Sequence, residues 1–267
     1  MTQRSEIYRS SGTLRSWIPV FIVLLSIPPT IWALYKLPNK NTNAIGAAAW
    51  GIMLGCALCA TIVAIVVSHR LAKAAAQKLA AVLNAEGFTA VLEPTEDQRA
   101  ATLEGMTPLA MFESAGTLHW FAYRKLDGIK LPAVVLQHSH VVGSGKTTRE
   151  HFRTLVAWPL AQQSKPEIWM RRPKAGLYKL EGTAQVPDVL VGDKTFDDAF
   201  LIQCPGDADA PRRLLTRTIR ELILAGPKRE SWVLARGYAC CIFHNDVAAE
   251  GLLAMLSRAR RMAEMWE

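Results

Sequence analysis

The residue pattern predicts an α+β protein: an N-terminal transmembrane helical hairpin, then a mixed, mainly antiparallel sheet domain with late packing helices. Three observations carry this expectation. Two long runs without a charge, Trp17–Tyr35 and Ala44–Ser68, stand near the N-terminus. From Thr117 onward, short segments rich in Val, Trp, Phe and Thr are separated by turn residues. Helical patterns gather at the end of the chain, which argues against an alternating βαβ order. Composition agrees. Of 267 residues, 50% are apolar and 20% charged, and the mean hydropathy of +0.12 is above the usual average for a soluble domain of this size. The apolar fraction excludes a disordered chain, while 17 Gly without a period and 5 scattered Cys exclude collagen and disulfide scaffolds.

Residues 1–16 read as a cytoplasmic tail and 17–68 as a two-helix transmembrane anchor. The 19 residues from Trp17 to Tyr35 reach roughly 28 Å as a helix, about the thickness of a bilayer's hydrocarbon layer. Trp17, Trp32 and Tyr35 suit the two interfaces, and Pro28-Pro29 predicts a kink. A cleaved signal peptide fits less well, because no small-x-small site follows and a second run does. The connection Lys36–Asn43 is short, so the runs should be antiparallel. Arg4, Arg9 and Arg15 before the first run and Arg70, Lys73 and Lys78 after the second outnumber Lys36 and Lys40 between them. That bias predicts a two-pass inner-membrane protein with both termini cytoplasmic, and free cysteines suit the same reducing compartment. Gly51 and Gly55 form a GxxxG, read as helix–helix packing within the hairpin or in a homodimer.

Residues 69–86 continue at helical spacing as a juxtamembrane stalk, with Leu71, Ala75, Leu79, Val82 and Leu83 on its apolar set and Gly87 as its stop. The cytoplasmic α+β domain is expected over 87–267. Strands are predicted at Phe88–Leu92, Leu118–Arg124, Leu131–Val141, Glu150–Pro159, Glu167–Arg171 and Phe196–Ile202, and Pro94–Gly116 stays ambiguous. A helix beginning near Pro211 and ending at Gly226-Pro227 precedes a hairpin, Trp232–Ala235 and Tyr238–Phe243, turning at Arg236-Gly237. The last element, Val247–Trp266, is an amphipathic helix with Asp246 as its expected N-cap.

Candidate chemistry centres on one hairpin. Gly143-Ser-Gly-Lys-Thr-Thr148 has the end of a P-loop, but His140 stands where the first loop glycine belongs, and the segment lies between strands. It reads as a turn. With Ser144-Gly145 at its centre, His138 faces His151 and His140 faces Arg149, with Arg153 on the same strand face. Three histidines on adjacent strands have metal-site spacing, yet two arginines beside them disfavour a cation and favour an anionic contact. His138, His140, Arg149, His151 and Arg153 are therefore the candidate anion- or partner-contact residues, with no metal, cofactor or catalytic residue expected. A plain solvated strand face is the alternative. Cys240-Cys241 with His244 lacks thiolate–base geometry, since neighbouring strand residues point to opposite faces. Asp193, Asp197 and Asp198 read as a turn, with Lys194 opposing a cation. Arg213, Arg217 and Arg220 read as a solvated helix face. The basic excess of +8 is split evenly between residues 1–68 and the remainder, which predicts no nucleic-acid footprint.

The two-span start, the strand–Gly143-Ser-Gly-Lys146–strand hairpin, the Phe196-Asp-Asp-Ala-Phe200 segment and the closing helix–hairpin–helix over Pro211–Trp266 resemble bacterial two-pass membrane-anchored proteins with a cytoplasmic α+β domain of unknown function. The resemblance implies no activity and no site residue. The expectation is a membrane-anchored cytoplasmic interaction module, with the lipid bilayer and a homodimer or membrane-protein partner as contacts. A membrane-associated enzyme using His138, His140 and His151, or an accessory or immunity-type partner of a larger membrane or secretion system, are the other readings.

Overall fold

The computed structural model describes residues 42–106, 116–142, 149–161, 166–172, 186–245 and 247–266. They fall in two compact units, one holding the chain up to Lys78 and the other running from Leu79. The first unit is one helix, α1 (Thr42–Ala85), whose last turns belong to the second unit. The second unit contains β1 (Thr89–Val91), α2 (Glu96–Met106), β2 (Thr117–Arg124), β3 (Ala133–Val142), β4 (Arg149–Pro159) and β5 (Ile168–Arg171). It continues with α3 (Lys194–Ala199), β6 (Leu201–Gln203), α4 (Ala210–Leu214), α5 (Arg217–Leu224), β7 (Glu230–Ala235), β8 (Tyr238–Phe243) and α6 (Ala249–Met265).

The transmembrane hairpin is corrected here. Among the described residues no helix is long and apolar enough to cross a membrane. The uncharged run Ala44–Ser68 is not a separate element. It forms the first half of the 44-residue α1, whose second half carries Arg70, Lys73 and Lys78 and ends with Leu79 and Leu83 in the sheet domain's core. With no membrane-crossing helix among the described residues, the two-pass inner-membrane placement falls as well. The first run, Trp17–Tyr35, lies outside the described residues.

The sheet has eight strands in the order β1-β2-β3-β4-β8-β7-β5-β6. Every described pairing is antiparallel, which corrects the mixed sheet that was expected. Both faces are covered. On one, Trp120, Val135, Val156, Trp232 and Cys241 pack with Phe196, Ile219, Leu252, Met255 and Met262 from the helices. On the other, Leu118, Leu136, Leu155, Val233, Cys240 and Ile242 pack with Met106, against which Leu103 of α2 also lies. This is the arrangement that alternating side chains in a strand require when both faces are buried.

Local chemistry explains the elements. The described part of Pro94–Gly116 holds α2, which starts on a capping box: Thr95 Oγ1 accepts from the Gln98 amide at 3.3 Å, and Gln98 Oε1 accepts from the Thr95 amide at 3.0 Å. The strand expected at Phe196–Ile202 is corrected to a helix followed by a strand. Asp193 accepts from the Thr195 and Phe196 amides, which starts α3 and leaves only Leu201–Gln203 extended. The helix expected after Pro211 splits into α4 and α5, because Thr216 caps a new start at Arg217, its side chain accepting from the Ile219 amide. β7 and β8 form the hairpin turning at Arg236-Gly237, both with positive φ as a primed two-residue turn demands.

Candidate functional site at the base of the β3–β4 arm

β3 and β4 pair from Val134 opposite Ala157 at one end to Val142 opposite Arg149 at the other. β8 accompanies β4 only from Thr154 to Pro159, so residues 149–153 extend beyond it. The register places His138 opposite Arg153 and His140 opposite His151. It differs by two residues from the pairing expected from a Ser144-Gly145 turn. A shift of two preserves the face, whereas a shift of one would have sent every side chain to the other side. His138, His140, His151 and Arg153 therefore still share one face. Arg149 stands opposite Val142, and its side chain, like residues 143–148, lies outside the described residues.

The surroundings are not those of a solvated strand face. His138 is 0% exposed, His140 2% and Arg153 6%; His151 is half-buried. The sequence pattern could not show this, since the cover comes from elements distant in the chain. The His138 and His140 rings stack at 6.3 Å between centroids, and His140 and His151 at 5.7 Å. Arg153 Nη2 approaches His140 Nε2 at 3.4 Å. Gly116 lies directly over His138: a Cβ there would stand 2.6 Å from the Ser139 carbonyl oxygen and closer still to the imidazole. Only glycine permits that approach.

A fourth histidine, read in the sequence only as a partner for Cys240-Cys241, joins the cluster. His244 follows β8, where its amide donates to the Arg229 carbonyl at 3.0 Å, and its Nε2 lies 2.9 Å from Ser231 Oγ. Burial lowers His138 to about 4, with Arg153, His140 and His119 adding repulsion. Burial also lowers His244 to about 4, reinforced by Arg153 and His140. Burial thus favours the neutral imidazole at His138 and at His244, beside the Arg153 guanidinium. Among the described residues, no group of three or more His, Cys, Asp or Glu is arranged to hold a metal ion.

The opposite face of the same strands carries a second polar group. Ser139 Oγ lies 2.7 Å from His119 Nε2 and donates to Glu150 Oε1 at 2.6 Å. His119 packs against Phe152 at 5.3 Å, and an irregularity in β2 between Leu118 and Trp120 lies at its position. The order is not that of a hydrolytic triad. The serine stands between imidazole and carboxylate, its proton points to Glu150, and the residue is 2% exposed. It joins three strands. The signal for Ser139 and Glu150 was present in the alternation of β3 and β4; nothing in the sequence pointed to His119.

The remaining sequence candidates have structural roles. Cys240 and Cys241 are buried on opposite faces, and burial raises both thiols far above reactivity. Asp193 caps α3 and pairs with Arg220, Asp197 accepts from the Val191 and Gly192 amides, and Asp198 pairs with Lys194. Arg213 pairs with Asp207 and Arg217 with Glu221. Gly55 meets nothing within 4 Å of where a Cβ would stand. A buried ion pair was not foreseen. Glu230, 0% exposed, accepts from Arg258 of α6 and from Trp232 Nε1 at 2.9 Å, and desolvation raises its carboxyl against the pull of Arg258.

No family model and no curated protein matches this chain. Among solved structures it is similar to the mycobacterial trehalose monomycolate transport factor A, TtfA, at 12% identity and a TM-score of 0.47, over 71% of this chain and 93% of that one. Similarity at this level transfers no residue and no role to this chain.

Proposed function

We propose that this chain is an interaction module that holds a partner through the apolar surface of α1. The observation that supports this reading is the exposure of Ile62, Val63, Ile65, Val66, Val67 and Leu71, each between 37% and 62%. Bare apolar surface of this extent on one helix marks a contact site, because leaving it in water forfeits the gain of burial. The partner surface that fits is another apolar helix, and a second copy of α1 is the simplest, with Gly51 and Gly55 allowing close approach. The polar clusters fit a binding module better than a catalyst. His138, His140 and Arg153 lie inside the fold, and half-buried His151 is the described member of the histidine set best placed to touch a partner.

The test is site-specific photo-cross-linking of the full chain in its native cells, with the cross-linker at Ile65 or Val66 and, as a control, at Glu104. A discrete adduct from α1, lost in Ile65→Glu and weakened in Gly55→Ile, is expected. No adduct from either α1 position would refute the reading.

A further inference from the structure

A groove of about 280 Å³ lies within the second unit, between α6 and the turn that follows α1. Its apolar lining is Phe88 and Leu256, both buried, with Trp158 set edge-on to Phe88 at 6.4 Å and Leu253 exposed along the wall. Two guanidiniums, Arg124 and Arg260, also line it, against one acidic residue, Glu86.

Arg124 is held in position. Its Nη1 donates to the Glu86 carbonyl at 2.7 Å, closing the end of α1, and its guanidinium lies over Gly87, where a Cβ would stand 3.4 Å from Nε. Gly87 has φ +79°, so glycine serves both the turn and the guanidinium's seat. Among the described residues Arg124 has no carboxylate within ion-pair distance, whereas Arg260 shares its charge with Glu264 at 2.9 Å. A guanidinium fixed beside an aromatic and aliphatic cleft matches an amphiphile with an anionic head, through charge-assisted hydrogen bonds at one end and apolar burial along the rest.

We propose that this groove binds a short-chain acyl carboxylate, with its tail on Phe88, Trp158, Leu253 and Leu256 and its head on Arg124 and Arg260. The volume lies just under the roughly 300–1,000 Å³ usual for ligand pockets, which selects a short chain over a long lipid.

The experiment is calorimetric titration of the full chain with octanoate, 1-octanol and octylammonium. Octanoate binds at one site per chain, octanol at least about tenfold more weakly, and octylammonium does not compete. Arg124→Gln weakens octanoate about tenfold and Arg260→Gln about threefold, while Leu253→Glu abolishes binding. Because Arg124 also closes the end of α1, Arg260→Gln and Leu253→Glu, at exposed positions of α6, keep the test independent of folding. Absence of saturable octanoate binding, equal binding of octanol, or unchanged affinity in both α6 variants would overturn the proposal.

Discussion

Acid should destabilise this fold through His138 and His244, and the size of the effect follows from their setting. Both imidazoles are lowered from 6.5 to about 4 in the folded protein, chiefly by burial and secondarily by Arg153 and His140. As pH falls below 6.5, the unfolded chain takes up these protons first. It then binds more protons than the native state, so the unfolding free energy falls. The stabilisation is intact above pH 6.5 and is lost progressively between there and pH 4. With these values each histidine costs about 2 kcal/mol by pH 5 and approaches about 3 kcal/mol below pH 4. The pair together removes about 4 kcal/mol at pH 5, a large share of the roughly 5–15 kcal/mol that holds an ordinary domain. The assay is urea unfolding of the full chain at pH 7, 6 and 5 at constant ionic strength, beside His138→Gln/His244→Gln. The variant starts less stable but has a flatter pH dependence, and the difference in slope isolates the two imidazoles from the carboxylates. Equal slopes in the two proteins would refute the reasoning.

Four further outcomes follow from the packing. Gly116→Ala forces a methyl into the His138 ring and the Ser139 carbonyl and should cost about 1–3 kcal/mol, read as a lower urea midpoint. Glu230→Gln removes a buried carboxylate charge from its bonds with Arg258 and Trp232 and should cost about 3–5 kcal/mol, whereas replacing both Glu230 and Arg258 by apolar residues should recover most of that in thermal unfolding. Arg236 has φ +52°, so Arg236→Asn should raise stability by about 1 kcal/mol, outweighing the exposed 3.5 Å contact to Glu167. Native-state alkylation should modify the exposed Cys56 and Cys59 of the isolated chain quickly, while Cys204, Cys240 and Cys241 react only on unfolding.

Much of the strand pattern was legible because it is local. Alternation marked β2, β3, β4 and β8 within one or two residues, and the Arg236-Gly237 turn was readable because a primed turn needs residues that tolerate positive φ. The shared face of His138, His140, His151 and Arg153 followed from strand alternation alone and survived a two-residue error in register. Tertiary structure decided what that face meets. His138 and Arg153 are buried because Gly116 lies over the ring and His244 arrives from β8, which begins 79 residues after the end of β4 in the chain but is its neighbour in the sheet. Segment hydropathy likewise reads each run by itself. It could not show that Leu79 and Leu83, at the end of α1, belong to the sheet's core. Side-chain periodicity is a property of neighbours along the chain, whereas burial, strand order and shifted titration depend on which distant segments close over a residue, and that is set only when the whole sheet assembles.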